Sequence, residues 1–139
     1  MEKSEPVILS LGGSLIYPNG GIDTGFLKEF ADFIKKEVTA GRRFFIVTGG
    51  GALCRHYQDA GSEIMGHQLT HDDLDWLGIH VTRINAHLLR TIFRDICHKQ
   101  IIHHYEKKYL NIIKPVTIAA GWKPGWSTNY CAAALAKLY

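Results

Sequence analysis

The sequence predicts an α/β protein built on a mainly parallel sheet with helices on both faces. Three observations lead there. Strand-length apolar runs alternate with segments of helical periodicity, in the order strand, helix, strand, helix, helix, strand, helix. Two of those runs, residues 7–14 (VILSLGGS) and 44–51 (FFIVTGGG), close on glycines that lead into a helix. A long helical pattern then precedes a third glycine- and hydroxyl-rich stretch, residues 120–130 (AGWKPGWSTNY).

Each element has its own signal. Residues 6–11 form a short apolar run ended by Gly12 and Gly13, the mark of a buried strand. YPNGG at 17–21 is turn chemistry. Asp23 is placed to cap a helix over 24–40, with Phe26, Phe30, Ile34 and Val38 as its apolar face and Gly41 as its stop. Residues 43–48 read as the second strand. Gly49–Gly51 turn it into a helix over 52–60, with Leu53, Tyr57 and Ala60 on one side. Residues 62–72 read as polar and irregular. Asp72 or Asp73 is expected to cap the longest helix, running to about His98, with Leu77, Val81, Ile84, Leu88, Ile92 and Ile96 buried. Residues 100–103 suggest a short strand, 105–113 give no clear signal, 115–120 read as a strand and 129–138 as a helix.

The chain of 139 residues is long enough for one domain with a core, and no linker or repeat divides it. Its 46% hydrophobic and 21% charged residues are ordinary for a soluble globular protein. A net charge of +3, evenly scattered, does not argue for nucleic acid, and Lys35-Lys36 and Lys107-Lys108 read as solvated helix surface. Three widely spaced cysteines, none in a CxxC pattern, argue against a disulfide framework or zinc site and for a reducing compartment. A first strand from about Val7 leaves no room for a signal peptide, and no apolar run suits a bilayer. The expected location is therefore the cytoplasm, with no membrane partner.

Glycines after a strand and before a helix free backbone N–H groups for an anion and let it approach closely. Gly49, Gly50 and Gly51 exceed what a turn requires and point to phosphate, with Arg55 one turn into the following helix. Gly12-Gly13-Ser14 is a shorter form of the same device at the carboxyl end of the first strand, where ligands of open α/β sheets collect. Neither is a Walker loop or a GxGxxG fingerprint. Asp75, Gly78 and Thr82 fall on one helical stripe. They suit a ribose contact, but periodicity alone favours a capping acid and plain helix surface. Ser127 and Thr128 suit reading a base or capping a helix equally well. The eight histidines lack ligand spacing, no catalytic triad is apparent, and no metal ligands are identified.

Taken together, LSLGGSL at 9–15, VTGGGALCRHY at 47–57, DWLGIHVTRINAHLL at 75–89 and AGWKPGWSTNYCAAALA at 120–136 resemble the amino acid kinase superfamily. Within it they are most similar to the archaeal-type uridylate (UMP) kinases. The resemblance implies a three-layer αβα sandwich and transfer of the ATP γ-phosphate to UMP, with ATP and Mg as cofactors. It places the UMP phosphate on Gly49, Gly50, Gly51 and Arg55, the ribose on Asp75 with Thr82 beside it, and the nucleotide against Ser127 and Thr128. Gly12 and Gly13 would lie beneath the transferring phosphoryl group, with Asn129 at the catalytic position.

Two residues depart from the family pattern. Asn129 stands where an acid organises positive charge around the phosphoryl, and Ser10 stands where many members carry lysine. Family members also continue beyond the equivalent of Tyr139 into an ATP-binding half. These departures imply an acceptor-nucleotide lobe of doubtful intrinsic activity. The alternatives are a non-catalytic nucleotide- or anion-binding module, another small-molecule kinase of the superfamily, or an interaction subunit. The strand edge at 115–120 is expected to lack its neighbour, which implies a homo-oligomer or completion by a partner chain.

Overall fold

The computed structural model describes residues 4–109 and 111–139. Three parallel strands form the sheet, β1 (Val7–Leu11), β2 (Phe44–Thr48) and β3 (Val116–Ala119), in the order β1-β2-β3. Val7 pairs with Phe44 and Phe44 with Val116, so the three strands start level and end on one common edge. The helices are α1 (Gly13–Ile16), α2 (Thr24–Thr39), α3 (Ala52–Met65), α4 (His71–Ile92) and α5 (Thr128–Leu138).

Alternation along β2 divides the core in two. Phe44 and Ile46 face one side with Leu27 and Ile34 of α2 and Ala86 and Leu89 of α4. Phe45 and Val47 face the other with Cys131 and Leu135 of α5, Ile102 and Tyr105. The sheet is thus covered on both faces, the αβα layering expected of a parallel sheet.

Several sequence expectations shift. Asp23 does cap α2, accepting from the Phe26 N–H at 2.9 Å. The fully buried face of that helix is Leu27, Ala31 and Ile34, while Phe26, Phe30 and Val38 lie half-buried beside it. Helix α3 runs five residues past Ala60, to Met65, and Leu77 and Leu69 pack beside Gly61 on that extension. Thr70, not Asp72 or Asp73, caps α4. Its hydroxyl accepts from the Asp73 N–H, and the Asp73 carboxylate accepts from the Thr70 N–H, a reciprocal capping box. The helix ends at Ile92 rather than His98, and Ile84 is 61% exposed because the buried stripe runs through Ile79, Thr82, Asn85, Ala86 and Leu89.

The outer edge of β3 is not bare as expected. Cys97 and Ile102 bridge it in parallel, with the Ile102 N–H donating to Ile118 O at 2.9 Å and the Ala120 N–H to Ile102 O at 2.8 Å. Residues 100–103 therefore line the sheet without forming a full strand. Among the described residues it is β1 that pairs on one side only. No helix among them is long and apolar enough to cross a membrane.

Candidate functional site

The parallel register brings the ends of all three strands to one edge, and each strand feeds a glycine-containing loop there. The first two loops pack backbone on backbone. A Cβ added to Gly13 would lie 2.0 Å from Gly51 N, and one on Gly49 would lie 2.6 Å from Gly13 N. Gly51 also sits at a φ of 71°, a conformation that favours glycine. These glycines therefore do structural work that spacing alone does not reveal. The contact fixes where the start of α3 lies.

Helix α3 does not present all of its first N–H groups. The Ala52 N–H donates to the Tyr17 carbonyl at 3.0 Å. The N–H groups of Gly50 and Gly51 have no acceptor among the described residues. Arg55 is exposed one turn further on and forms no ion pair among those residues.

Helix α4 holds two of the loops from behind. Asn85, only 3% exposed, donates through Nδ2 to the carbonyls of Gly49 (2.9 Å) and Gly50 (3.2 Å). With those carbonyls turned to Asn85, the peptide N–H groups that follow them are directed elsewhere. One turn earlier, the Thr82 hydroxyl donates to Ile79 O at 2.6 Å and accepts from the Gly121 N–H at 2.9 Å. Thr48, at the end of β2, donates to Thr82 O at 2.9 Å.

The third loop is further tied by Arg83, whose Nε and Nη2 donate to Gly121 O (3.1 Å) and Trp122 O (2.8 Å). The Tyr105 hydroxyl donates to Ala120 O, and burial pushes that phenol well above its usual range. Asp75 accepts from the Gly125 N–H at 3.2 Å, and Ser127 caps α5 by accepting from the Tyr130 N–H at 3.1 Å. Sequence reasoning did not single out Asn85, Arg83 or Tyr105. The TRxNA run, which carries Arg83 and Asn85, was the available signal for two of them.

Between α3, α4 and this loop opens a cleft of about 390 Å³. Asp75, Thr82, Ser127 and Thr128 all line it, and so does Gly78. A Cβ at Gly78 would lie 3.0 Å from the Cys54 sulfur and would press on that side chain. The Cys54 thiol is pushed up by burial, with Arg55 pulling the other way, which keeps it protonated. Lys123 and Trp126 bring a cation and an aromatic ring to the same walls. Gly12, Gly13, Gly49, Gly50, Gly51, Arg55 and Asn129 are not part of this cleft. Asn129 instead accepts a hydrogen bond from Ser10 at 3.3 Å, across from the end of β1.

Among the described residues no three His, Cys, Asp or Glu side chains gather to form an all-protein metal cage, and a magnesium ion carried on nucleotide phosphates needs no such cage.

Fold and cleft together define a class: a parallel α/β protein that assembles its ligand edge from the loops at three strand ends. The family model for the amino acid kinase family matches residues 5–138, and the chain belongs to that family. The chain is 32% identical to the uridylate kinase of Methanocaldococcus jannaschii, over 94% of this chain and 57% of the relative. It is 33% identical to that of Methanocorpusculum labreanum, over 94% and 54%. The crystal structure of uridylate kinase from Archaeoglobus fulgidus superposes with a TM-score of 0.78 at 32% identity, covering 96% of this chain and 58% of the other. Aspartate kinase from Synechocystis shares the fold, with a TM-score of 0.66 at 16% identity. The chain spans about half the length of the curated relatives it matches.

Proposed function

We propose that this chain is the acceptor-nucleotide lobe of a uridylate kinase-like phosphotransferase and that it binds UMP. In this reading the nucleoside occupies the cleft beside Asp75, Ser127 and Thr128. Its phosphate reaches the Gly50 and Gly51 N–H groups and Arg55. The observation that carries the reading is the double hold of α4: Asn85 fixes the Gly49–Gly50 carbonyls and Thr82 fixes Gly121, so two loops needed for one ligand share one mount. The names of the similar proteins supply the choice of UMP and of ATP as donor.

Arginine and backbone N–H groups are complementary to a phosphate dianion, and the aromatic and hydroxyl groups of the third loop suit a base. Phosphoryl transfer needs charge at the reacting centre as well as positioning. The Ser10–Asn129 pair supplies none, and this favours a second reading, a nucleotide-binding module with little turnover of its own.

Isothermal titration of UMP tests the binding reading. Binding is expected, with Arg55→Ala weakening it by about 1.5–3 kcal/mol, the range for a hydrogen bond to a charged group. Absence of heat with folded protein and millimolar UMP would overturn it.

A further inference from the structure

The cleft beside Asp75 is walled by side chains whose hydrogen-bonding sense is already set. Trp126 forms a rigid aromatic wall, its ring packed against Tyr105 (centroids 5.8 Å apart), Trp122 (4.7 Å) and Tyr130 (4.5 Å). A planar base can lie on such a wall. Lys123 also lines the cleft, and its ammonium rests 4.2 Å from the centroid of Trp122, a ring outside the lining. The cation is thus held at the rim, next to the aromatic wall. On the facing side, Gln58 of α3 donates through Nε2 to the Leu74 carbonyl at 3.0 Å. That bond fixes the sense of its amide and leaves Oε1 as an acceptor.

The other polar groups of the cleft are partly committed. Asp75 Oδ2 accepts from the Gly125 N–H, and its second oxygen suits a ribose hydroxyl. The Ser127 oxygen accepts from the Tyr130 N–H. What remains distinctive is a donor without acceptor capacity at Lys123 and an acceptor at Gln58. A pyrimidine carries its 3 and 4 positions side by side on the edge away from the sugar. Uracil presents N3–H and the O4 carbonyl there, a donor beside an acceptor. Cytosine presents the reverse, a bare N3 and a 4-amino group, which sets donor against donor and acceptor against acceptor.

From this arrangement we propose that Lys123 and Gln58 select the base. Lys123 donates to O4 and Gln58 accepts from N3–H, so the cleft takes a uracil nucleotide and rejects its cytosine counterpart. This inference rests on the reading of the cleft as a nucleoside monophosphate site. Polar groups left opposed cost more than a bond merely not made, so two residues suffice to discriminate. Neither belongs to the glycine loops or to Arg55, so base choice and phosphate binding separate by mutation.

The test is isothermal titration of the 139-residue chain with UMP and with CMP, read as the ratio of the two affinities. The unmodified chain is expected to favour UMP by about tenfold or more, the worth of one hydrogen bond to a charged group. Lys123→Met keeps the apolar stem, removes the donors and should abolish most of that preference. Lys123→Glu places an acceptor opposite the 4-amino group and should reverse it. Gln58→Leu should narrow the ratio as well. Arg55→Ala should weaken both nucleotides alike and leave the ratio unmoved. A loss of folded protein lowers both affinities together, so the ratio still reports base choice. Binding of both nucleotides with a ratio that neither Lys123 variant changes would overturn the proposal and leave the nucleotide reading standing. Binding of neither nucleotide at millimolar concentration would overturn both.

Discussion

Ser10 and Asn129, 119 residues apart in sequence, meet side chain to side chain, with the Ser10 hydroxyl donating to Asn129 Oδ1 at 3.3 Å. One residue lies on the exposed side of β1 near its end and the other in the first turn of α5. Neither is ionised, so the contact is a neutral pair at the edge of the sheet where the glycine loops collect.

That pair makes the first prediction. The 139-residue chain by itself is expected to show no significant ATP-dependent phosphorylation of UMP. Fused to the second half of an archaeal relative, Asn129→Asp should raise the rate by about 100-fold, the effect of one preorganised electrostatic group. The UMP affinity should stay within threefold. Ser10 can donate to the new carboxylate as it does to the amide, so stability should be little changed. A coupled kinase assay reads both quantities. Equal rates for the two fusions would remove Asn129 from the reacting centre.

Asn85 is predicted to be a positioning residue. Replacing it with alanine strands two loop carbonyls and should cost about 1–3 kcal/mol of stability. UMP affinity should fall as well, because the Gly50 and Gly51 N–H groups lose their direction. Asn85→Asp should be worse than alanine, since a carboxylate would face two carbonyl oxygens. Denaturant melts and UMP titrations check both effects. An alanine variant of normal stability and affinity would show that the loop holds itself.

Gly13→Ala and Gly51→Ala should both destabilise the protein, by about 3 kcal/mol or more for Gly13. At Gly13 the added methyl carbon meets backbone, which cannot swing aside as a side chain can. Gly12→Ala, with open space around its Cβ, is the control and should be close to neutral. Thermal melts of the three variants decide the point, and a normal Gly13→Ala would refute the close packing of the loops.

Acid should weaken the fold through two histidines. Burial lowers the pKa of His98 and of His103, and His98 Nε2 is buried without a partner among the described residues. Both are therefore neutral in the folded protein and protonate more readily when unfolded. Their contribution is complete above the ordinary histidine value of 6.5 and is lost as pH falls through the depressed folded values. The melting temperature should hold from pH 8 to 7 and decline below about 6.5, with a shallower decline in His98→Gln. A flat profile down to pH 5 would contradict this.

Strand-then-glycine runs made the three loops legible in the sequence, because a buried parallel strand and a glycine turn each have a local signature. Helical spacing put Asp75, Gly78 and Thr82 on one stripe but favoured a capping acid and plain helix surface for it, whereas all three line the cleft. The roles of these residues were not legible. Thr82 and Asp75 spend hydrogen bonds on Gly121 and Gly125, partners 39 and 50 residues away, which no window of local pattern contains. Ile84 was misplaced for a related reason. A helix packed on one side by a sheet and on another by α3 buries a stripe that includes Thr82 and Asn85, and polar side chains there defeat a count of apolar positions. Thr70 was overlooked as a cap because two aspartates follow it, and one of them is its reciprocal partner.

The mounting of two loops on one helix has a consequence for anyone reshaping this protein. Residues 123–128 reach the cleft, while the base of the loop at 120–122 is anchored by Thr82, Arg83 and Tyr105, and of the outer residues Gly125 is tied to Asp75 and Ser127 to the start of α5. Ligand preference can therefore be rewritten in the outer part of that loop without disturbing its footing. A change at 82–85 moves both loops together and turns a local edit into a global one. Recognition and scaffold are separable on one side of the cleft and inseparable on the other, so the outer loop is the place to diversify a library.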